Sequence, residues 1–459
     1  MVCPTNCFRD LSCVKAVKWK AIIQMMTNLE NLNIILSQDE LDLLHGSQGP
    51  TMQKVMKTVV LYGEALKAEK LVDIEGPGHF VIPWSSPGIA PPIELLEELA
   101  DAGMKTKFPF TLDPRPPFDF ENLFVRPEEE VAIEAMYCNQ ARYDELMIQL
   151  GLRDQDAYTC NPYQPEVGNI PARDTVLAWS ESACAVYANS ILGARTNRNG
   201  AIMDILTNIV GKTPLAGLLT DEGRKATWLV EIMTEKQPPP QLLGAAIGLK
   251  VFEDVPYIVN LDRYLNPELD ADTTDFLQEM GTACATYGAV GLFHVENITP
   301  EAVDFGKDLL AQGFQTYVID EHELQKLFDS FPLLWTDENA KPERCYIGCP
   351  HLSLRQLYWW ANAIHVALQV HKKKHLEIDT VLCAAPKVLE LFKKDGSVYF
   401  QLKEAGIKFS PACSETIFET CLCSGRPILT NSTKLRAYTT ARFIPDEILV
   451  EALVTGRVE

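Results

Sequence analysis

No stretch of about 18 consecutive apolar residues occurs, so the chain offers no candidate for a membrane-spanning helix. Positive charge is also short: Lys+Arg 41 against Asp+Glu 62 leaves a net charge of -21. A nucleic-acid binder draws its affinity from neutralised phosphates, so no nucleic-acid partner is expected. An anionic ligand would need a local cationic pocket. Cysteine is plentiful but unpatterned: 13 residues, with no CxxC pair among them. That excludes a disulfide framework and fits a reduced, cytoplasmic protein. Internal repeats and low-complexity segments are missing too. The first 33 residues lack an apolar h-region and a small-residue cleavage site. They read as a poorly ordered extension, with an organelle signal as the alternative, and Cys3, Cys7 and Cys13 as unstructured thiols.

What is present is the composition of an ordinary soluble protein, 47% hydrophobic and 22% charged. At 459 residues the chain exceeds one core, and two or three domains are expected. Ser37 and Glu40 form a capping-box pattern, Leu36 can staple onto Leu41, and Gly46 would stop that helix. Met52, Val55, Met56, Val59 and Val60 fall at helical spacing. Leu71 to Ile74 reads as a strand, Pro92 to Ala102 as a helix closed by Gly103, and Lys107 to Leu112 as the next strand. The βαβ rhythm returns later. Ala289 to Val295 reads as a buried strand, and Thr299 with Pro300 opens a helix that Gly313 ends. A strand follows it, and Ser353 starts another helix. TVLCAA, PKVLELFKK, RPILTNS and DEILVEALVTG alternate strand and helix to the end. Lys236-Gln237-Pro238-Pro239-Pro240 is the cleanest linker, since three prolines continue neither regular element. The organisation expected is an extension over 1–33, a first α/β region over 34–236 and a second over 241–459, the latter in two subdomains.

Three cysteines stand apart from the rest. Cys160, Cys349 and Cys413 each lie beside proline, glycine or serine, as turn-borne ligands do. The other cysteines outside the extension read as buried or incidental thiols. Three thiolates around iron leave a coordination position open, where a metal can act as a Lewis acid on a substrate hydroxyl. Spacing alone makes this a weak metal signal. Between the first two lies AWSESACAVYANSILGARTNRNG, with Arg195 and Arg198 three apart around Thr196 and Asn197. Surface ion pairs are the plain reading of two such arginines. The small and polar neighbours Ser180, Ser182, Asn189, Ser190 and Gly193 favour a carboxylate site instead. His79 and His351 follow glycine- or proline-containing turns; each is a structural histidine by default and a substrate contact in the sharper reading.

From about Leu36 onward the chain resembles the aconitase X family, specifically its large subunit or large domain. The resemblance is carried by CNPYQPEVGNIPARD, AWSESACAVYANSILGARTNRNG, GKTPLAGLLTDEGR, MGTACATYGAVGLFHVENITPEA, CYIGCPHLSLRQL and ILTNSTK. It implies an aconitase-like α/β body of parallel or mixed sheets covered by helices. It also implies an iron- or iron–sulfur-dependent dehydratase, with Cys160, Cys349 and Cys413 where the family's metal ligands are expected. Within the family, cis-3-hydroxy-L-proline and mevalonate 5-phosphate are the substrates to weigh. The absence of a phosphate loop leans toward the imino acid. No segment resembles the family's swivel domain, which supplies its base, so a small swivel-domain subunit is the expected partner. Leu219, Gln278 and Pro411-Ala412 depart from the family's usual histidine, lysine and DT. Those departures keep a non-catalytic homologue, acting as a binding or regulatory subunit, as the competing reading.

Overall fold

The computed structural model describes residues 32–81, 90–417 and 424–458. The reading of the N-terminal extension, and Cys421 and Cys423, lie outside the described residues. The chain divides into two compact units, 1–72 with 213–216, and 73–212 with 217–459.

The smaller unit carries helices α1 (Gln38–Leu44) and α2 (Pro50–Ala65). The capping box forms as expected: Ser37 Oγ accepts from Glu40 N at 3.3 Å, and Glu40 Oε2 accepts from Ser37 N at 2.8 Å. Helix α2 buries Met52, Val55, Met56, Val59 and Val60, the stripe its spacing announces.

The larger unit opens with a short parallel pair, β1 (His79–Phe80) beside β2 (Thr111–Leu112). A four-stranded sheet follows, built from β3 (Ala226–Ile232), β4 (Pro256–Val259), β5 (His294–Val295) and β6 (Leu310–Ile319). Its order is β5-β4-β3-β6, and every pair is parallel. Helices α3 (Ser182–Ser190), α4 (Pro240–Val251) and α5 (Ala271–Tyr287) contribute to the hydrophobic core of this region. A Cβ at Gly244 would lie 2.1 Å from the carbonyl oxygen of Met280, so glycine lets α4 and α5 approach closely. Ala289 to Val295 is not one strand. Ala289 takes φ 112°, which breaks the extended run, and only His294–Val295 pairs. Val290, Leu292 and Phe293 are nonetheless fully buried, so the apolar pattern reported burial rather than pairing. Gly313 does not end a helix either; Gly306 does, and Gly313 sits within β6.

The last sheet positions the site. Its strands are β7 (Arg344–Leu352), β8 (Asp379–Ala384), β9 (Lys408–Ser410), β10 (Ile428–Thr430) and β11 (Arg442–Phe443). They run in the order β9-β8-β7-β10-β11, all parallel. The chain moves outward from β7 through β8 to β9, then returns to the other side of β7 with β10. Such a reversal splits the connections and leaves a crevice beyond the carboxyl ends of the strands. Cys349 lies near the end of β7, Cys413 three residues beyond β9, and Ser432 to Lys434 just beyond β10.

Candidate active site

Three chain segments are locked together at that crevice. Cys160 Sγ accepts a hydrogen bond from His351 N at 3.1 Å, and Asn161 Nδ2 donates to the His351 carbonyl. Thr159 Oγ1 lies 3.4 Å from His351 Nδ1. Glycine precedes Cys349 for a steric reason: Gly348 has φ 107°, and a Cβ there would sit 2.2 Å from the Cys383 carbonyl oxygen. Cys413 is held through its backbone, its N–H donating to Arg115 O at 3.0 Å and its carbonyl accepting from Thr416 Oγ1 at 2.7 Å.

Burial separates these thiols from most of the others. Cys160, Cys349 and Cys413 are half-buried, whereas Cys184, Cys284, Cys345 and Cys383 are fully buried in the core. Burial raises the Cys160 and Cys413 thiols, and the neighbouring Cys349 adds to the rise in both. Burial likewise pushes Cys349 up to about 11, against the pull of Lys434 and a hydrogen bond from Ser432. Among the described residues no group of three His, Cys, Asp or Glu is set to hold a single metal ion. Each of the three is a half-buried thiol on its own chain segment, the kind of soft donor that iron–sulfur centres take.

Cys413 lines a cavity of about 560 Å³, together with Asp113, Ser180, Glu181, Arg198 and Lys434 among others. Glu181 caps α3, its side chain accepting from Cys184 N at 2.6 Å, and it pairs with Lys434 Nζ at 3.0 Å. Burial works to raise the Glu181 carboxyl, but Lys434 and the Cys184 amide prevail and hold it at about 2. Lys434 is raised well above its usual value: burial opposes its charge, and Glu181 followed by Glu415 overcomes it. The pair is therefore a buried ion pair at neutral pH. Asp113 differs. Burial raises it to about 6, opposed by His79, whose Nε2 stands 3.7 Å from Asp113 Oδ1.

The expected substrate residues divide into two groups. Ser180, Ser182 and Arg198 line the cavity. His79 is fully buried behind Asp113, with Nδ1 2.9 Å from Thr111 Oγ1. His351 is also buried; burial lowers it to about 4, so its imidazole is neutral. Thr196 is sealed in the core, and Asn197 Oδ1 accepts from Leu218 N at 2.7 Å, so both shape the loop. Arg195 turns to Asp221, 2.7 Å away, and donates to Leu219 O at 3.2 Å. Leu219 thus holds Arg195 through its carbonyl, while its side chain is buried. Gln278 is buried in α5, and Ala412 packs in a small apolar cluster with Tyr346 and Cys383.

Asp113, Glu181 and Lys434 escaped the sequence reading. Asp113 sits in an unremarkable LDPRPP turn. Glu181 and Lys434 lie within matched segments, and a carboxylate between two serines opening a helix was the available signal.

The family models for the aconitase X first domain and the aconitase X second domain match residues 33–222 and 226–329. The chain belongs to the aconitase X family. It is 33% identical over 324 residues to the phosphomevalonate dehydratase large subunit of Thermococcus kodakarensis, covering 70% of this chain and 75% of that protein. It is 26% identical to the cis-3-hydroxy-L-proline dehydratase of Hypocrea jecorina, covering 89% of this chain and 65% of the relative. The crystal structure of Thermococcus kodakaraensis aconitase X in its holo-form superposes with a TM-score of 0.75 at 29% identity, covering 92% of this chain and 100% of that one. These relatives are dehydratases, and the chain is an enzyme of the same hydro-lyase class. No helix among the described residues is long and apolar enough to cross a membrane.

Proposed function

We propose that this chain is the large subunit of a dehydratase that removes water from cis-3-hydroxy-L-proline, working in the cytoplasm with a small swivel-domain partner. The observation that carries the reading is the cavity itself. The half-buried thiol of Cys413 lines a pocket that also holds cationic and anionic side chains. Cys160, Cys349 and Cys413 would hold an iron–sulfur centre, which when bound supplies a Lewis acid for the leaving hydroxyl. Everything else falls to the chain and its partner. Arg198 takes the substrate carboxylate, with a charge-assisted hydrogen bond worth roughly 1.5–3 kcal/mol. Asp113, raised to about 6, lines the cavity and can exchange a proton near that pH. Glu181 and Lys434 cancel each other's charge, and Arg198 and Asp113 also line the pocket. That balance suits a substrate carrying one carboxylate and one ammonium better than a phosphate ester. The partner is supported by the relatives named large subunits, and it would bring the base for the proton removed from carbon.

Mevalonate 5-phosphate is the second reading, favoured by the higher identity to the phosphomevalonate dehydratase large subunit, 33%. Both acids are to be given to anaerobically purified chain, alone and co-expressed with a swivel-type small subunit. The expected result is loss of water from hydroxyproline only in the co-expressed sample. Turnover of mevalonate 5-phosphate alone overturns the substrate. Full turnover by the isolated chain overturns the need for a partner.

A further inference from the structure

We infer that a buried strut of Glu301, Arg224 and Asn189 sets where Arg198 stands in the cavity, making Asn189 and Arg224 positioning residues for the substrate carboxylate. The inference rests on the reading of Arg198 as the carboxylate clamp. Arg198 lies on the loop after α3 at φ 55°, a left-handed backbone that a non-glycine residue holds only when its surroundings impose it. Its side chain makes one long contact, Nη2 to Ala289 O at 3.5 Å, and it forms no ion pair among the described residues. The loop, not the side chain's own bonds, therefore fixes the guanidinium.

Asn189 grips that loop. Its Nδ2 donates to Thr196 O at 2.9 Å and to Gly291 O at 2.8 Å, while its Oδ1 accepts from Thr196 N at 3.0 Å. Arg224 grips Asn189 in turn, with Nη1 donating to Asn189 Oδ1 at 3.2 Å and Nη2 to Asn189 O at 3.0 Å. Its Nε donates to Glu301 Oε1 at 2.7 Å. Arg224 and Asn189 are each about 1% exposed. On the far side of Arg198, Asn199 is tied to buried Asp204 by two bonds, 3.1 and 2.8 Å. An arginine buried to this degree, with directed bonds at every edge, fixes position rather than adding net stability. Three of the segments that carry the family resemblance, GARTNR, LLTDEGR and ENITPEA, meet in this one network.

The test is a double-mutant cycle on the full chain co-purified with its partner, using Asn189→Ala, Arg224→Lys and Arg198→Ala. Steady-state kinetics and calorimetric binding are read with cis-3-hydroxy-L-proline and, in parallel, mevalonate 5-phosphate, since both offer a carboxylate. A clamp acting equally in ground and transition states predicts that Asn189→Ala raises KM about tenfold and leaves kcat within about threefold. In the Arg198→Ala background the same change should add less than about twofold. Arg224→Lys keeps the charge opposite Glu301 and should reproduce the KM rise with kcat again within about threefold, even at a lowered melting temperature; it carries the cycle should Asn189→Ala not fold. Additive losses, or a fall in kcat that tracks melting temperature, mark a merely structural role and overturn the inference. Unchanged KM in the strut variants beside a raised KM in Arg198→Ala overturns the strut alone. Unchanged KM and binding in Arg198→Ala overturns the clamp and the strut with it.

Discussion

The two walls of the cavity are built by different means. One wall, from Asp113 to Arg198, is set by side chains bonded to backbone: Ser180 Oγ accepts from Val81 N at 2.9 Å, Glu181 caps a helix, and Asn189 ties the arginine loop. The other wall, from Cys413 to Lys434, is set by topology, its residues following the ends of parallel strands in the sheet that reverses its order. The first wall manages charge and the second supplies soft donors. Damage to the first should therefore alter how substrate is held, and damage to the second whether chemistry occurs at all.

The largest effect is expected at the three thiols, of which Cys413 belongs to the second wall. Serine at Cys160, Cys349 or Cys413 should remove bound iron and all measurable turnover, while serine at Cys284 in the core should leave the iron content unchanged. Iron and sulfide assay after anaerobic purification reads both, and equal iron in all four variants would erase the contrast. On the first wall, Arg198→Ala should raise KM by about ten- to a hundredfold through a lost charge-assisted bond, whereas Arg195→Ala should change it less than about threefold. Equal responses would mean that Arg195 leaves Asp221 for the substrate. Next comes Glu181, the carboxylate that joins the walls. Its folded value of about 2 lies below the usual 4.5, so the stability it confers is present above pH 4.5 and is lost as pH falls toward 2. Thermal unfolding across that window should fall less steeply in Glu181→Gln, although that variant starts lower because Lys434 is left buried without its partner. The smallest effect should come from Gly244→Ala, which does not line the cavity. Overpacking against Met280 should cost about 1–3 kcal/mol with kinetics intact.

How much of this was legible in the sequence follows the range of the interaction. Ser37 with Glu40 and Ser353 with Gln356 form capping boxes, because both partners lie within one turn and the signal is local. The three cysteines stood out through their turn-forming neighbours. Arg195 and Arg198 looked alike, because nothing within the loop says that Asp221 waits for one of them. The pairing of Glu181 with Lys434, 253 residues apart, depends on strand order, which no local pattern encodes. Ala289 to Val295 misled because buried coil and buried strand share one apolar signature. His79 and His351 attracted notice as histidines, yet it is their neighbours Asp113 and Cys160 that meet the cavity or the thiols.

The sequestration of the Glu181–Lys434 pair bears on ionic strength. Its side chains are 3% and 16% exposed, so mobile salt ions cannot enter between them and screening is weak. Asp221, which holds Arg195 aside, is 89% exposed and fully open to screening. Added potassium chloride should thus loosen the surface latch on the arginine loop while leaving the link between the two walls untouched. A KM that drifts with salt while kcat holds steady would be the signature of that unequal shielding.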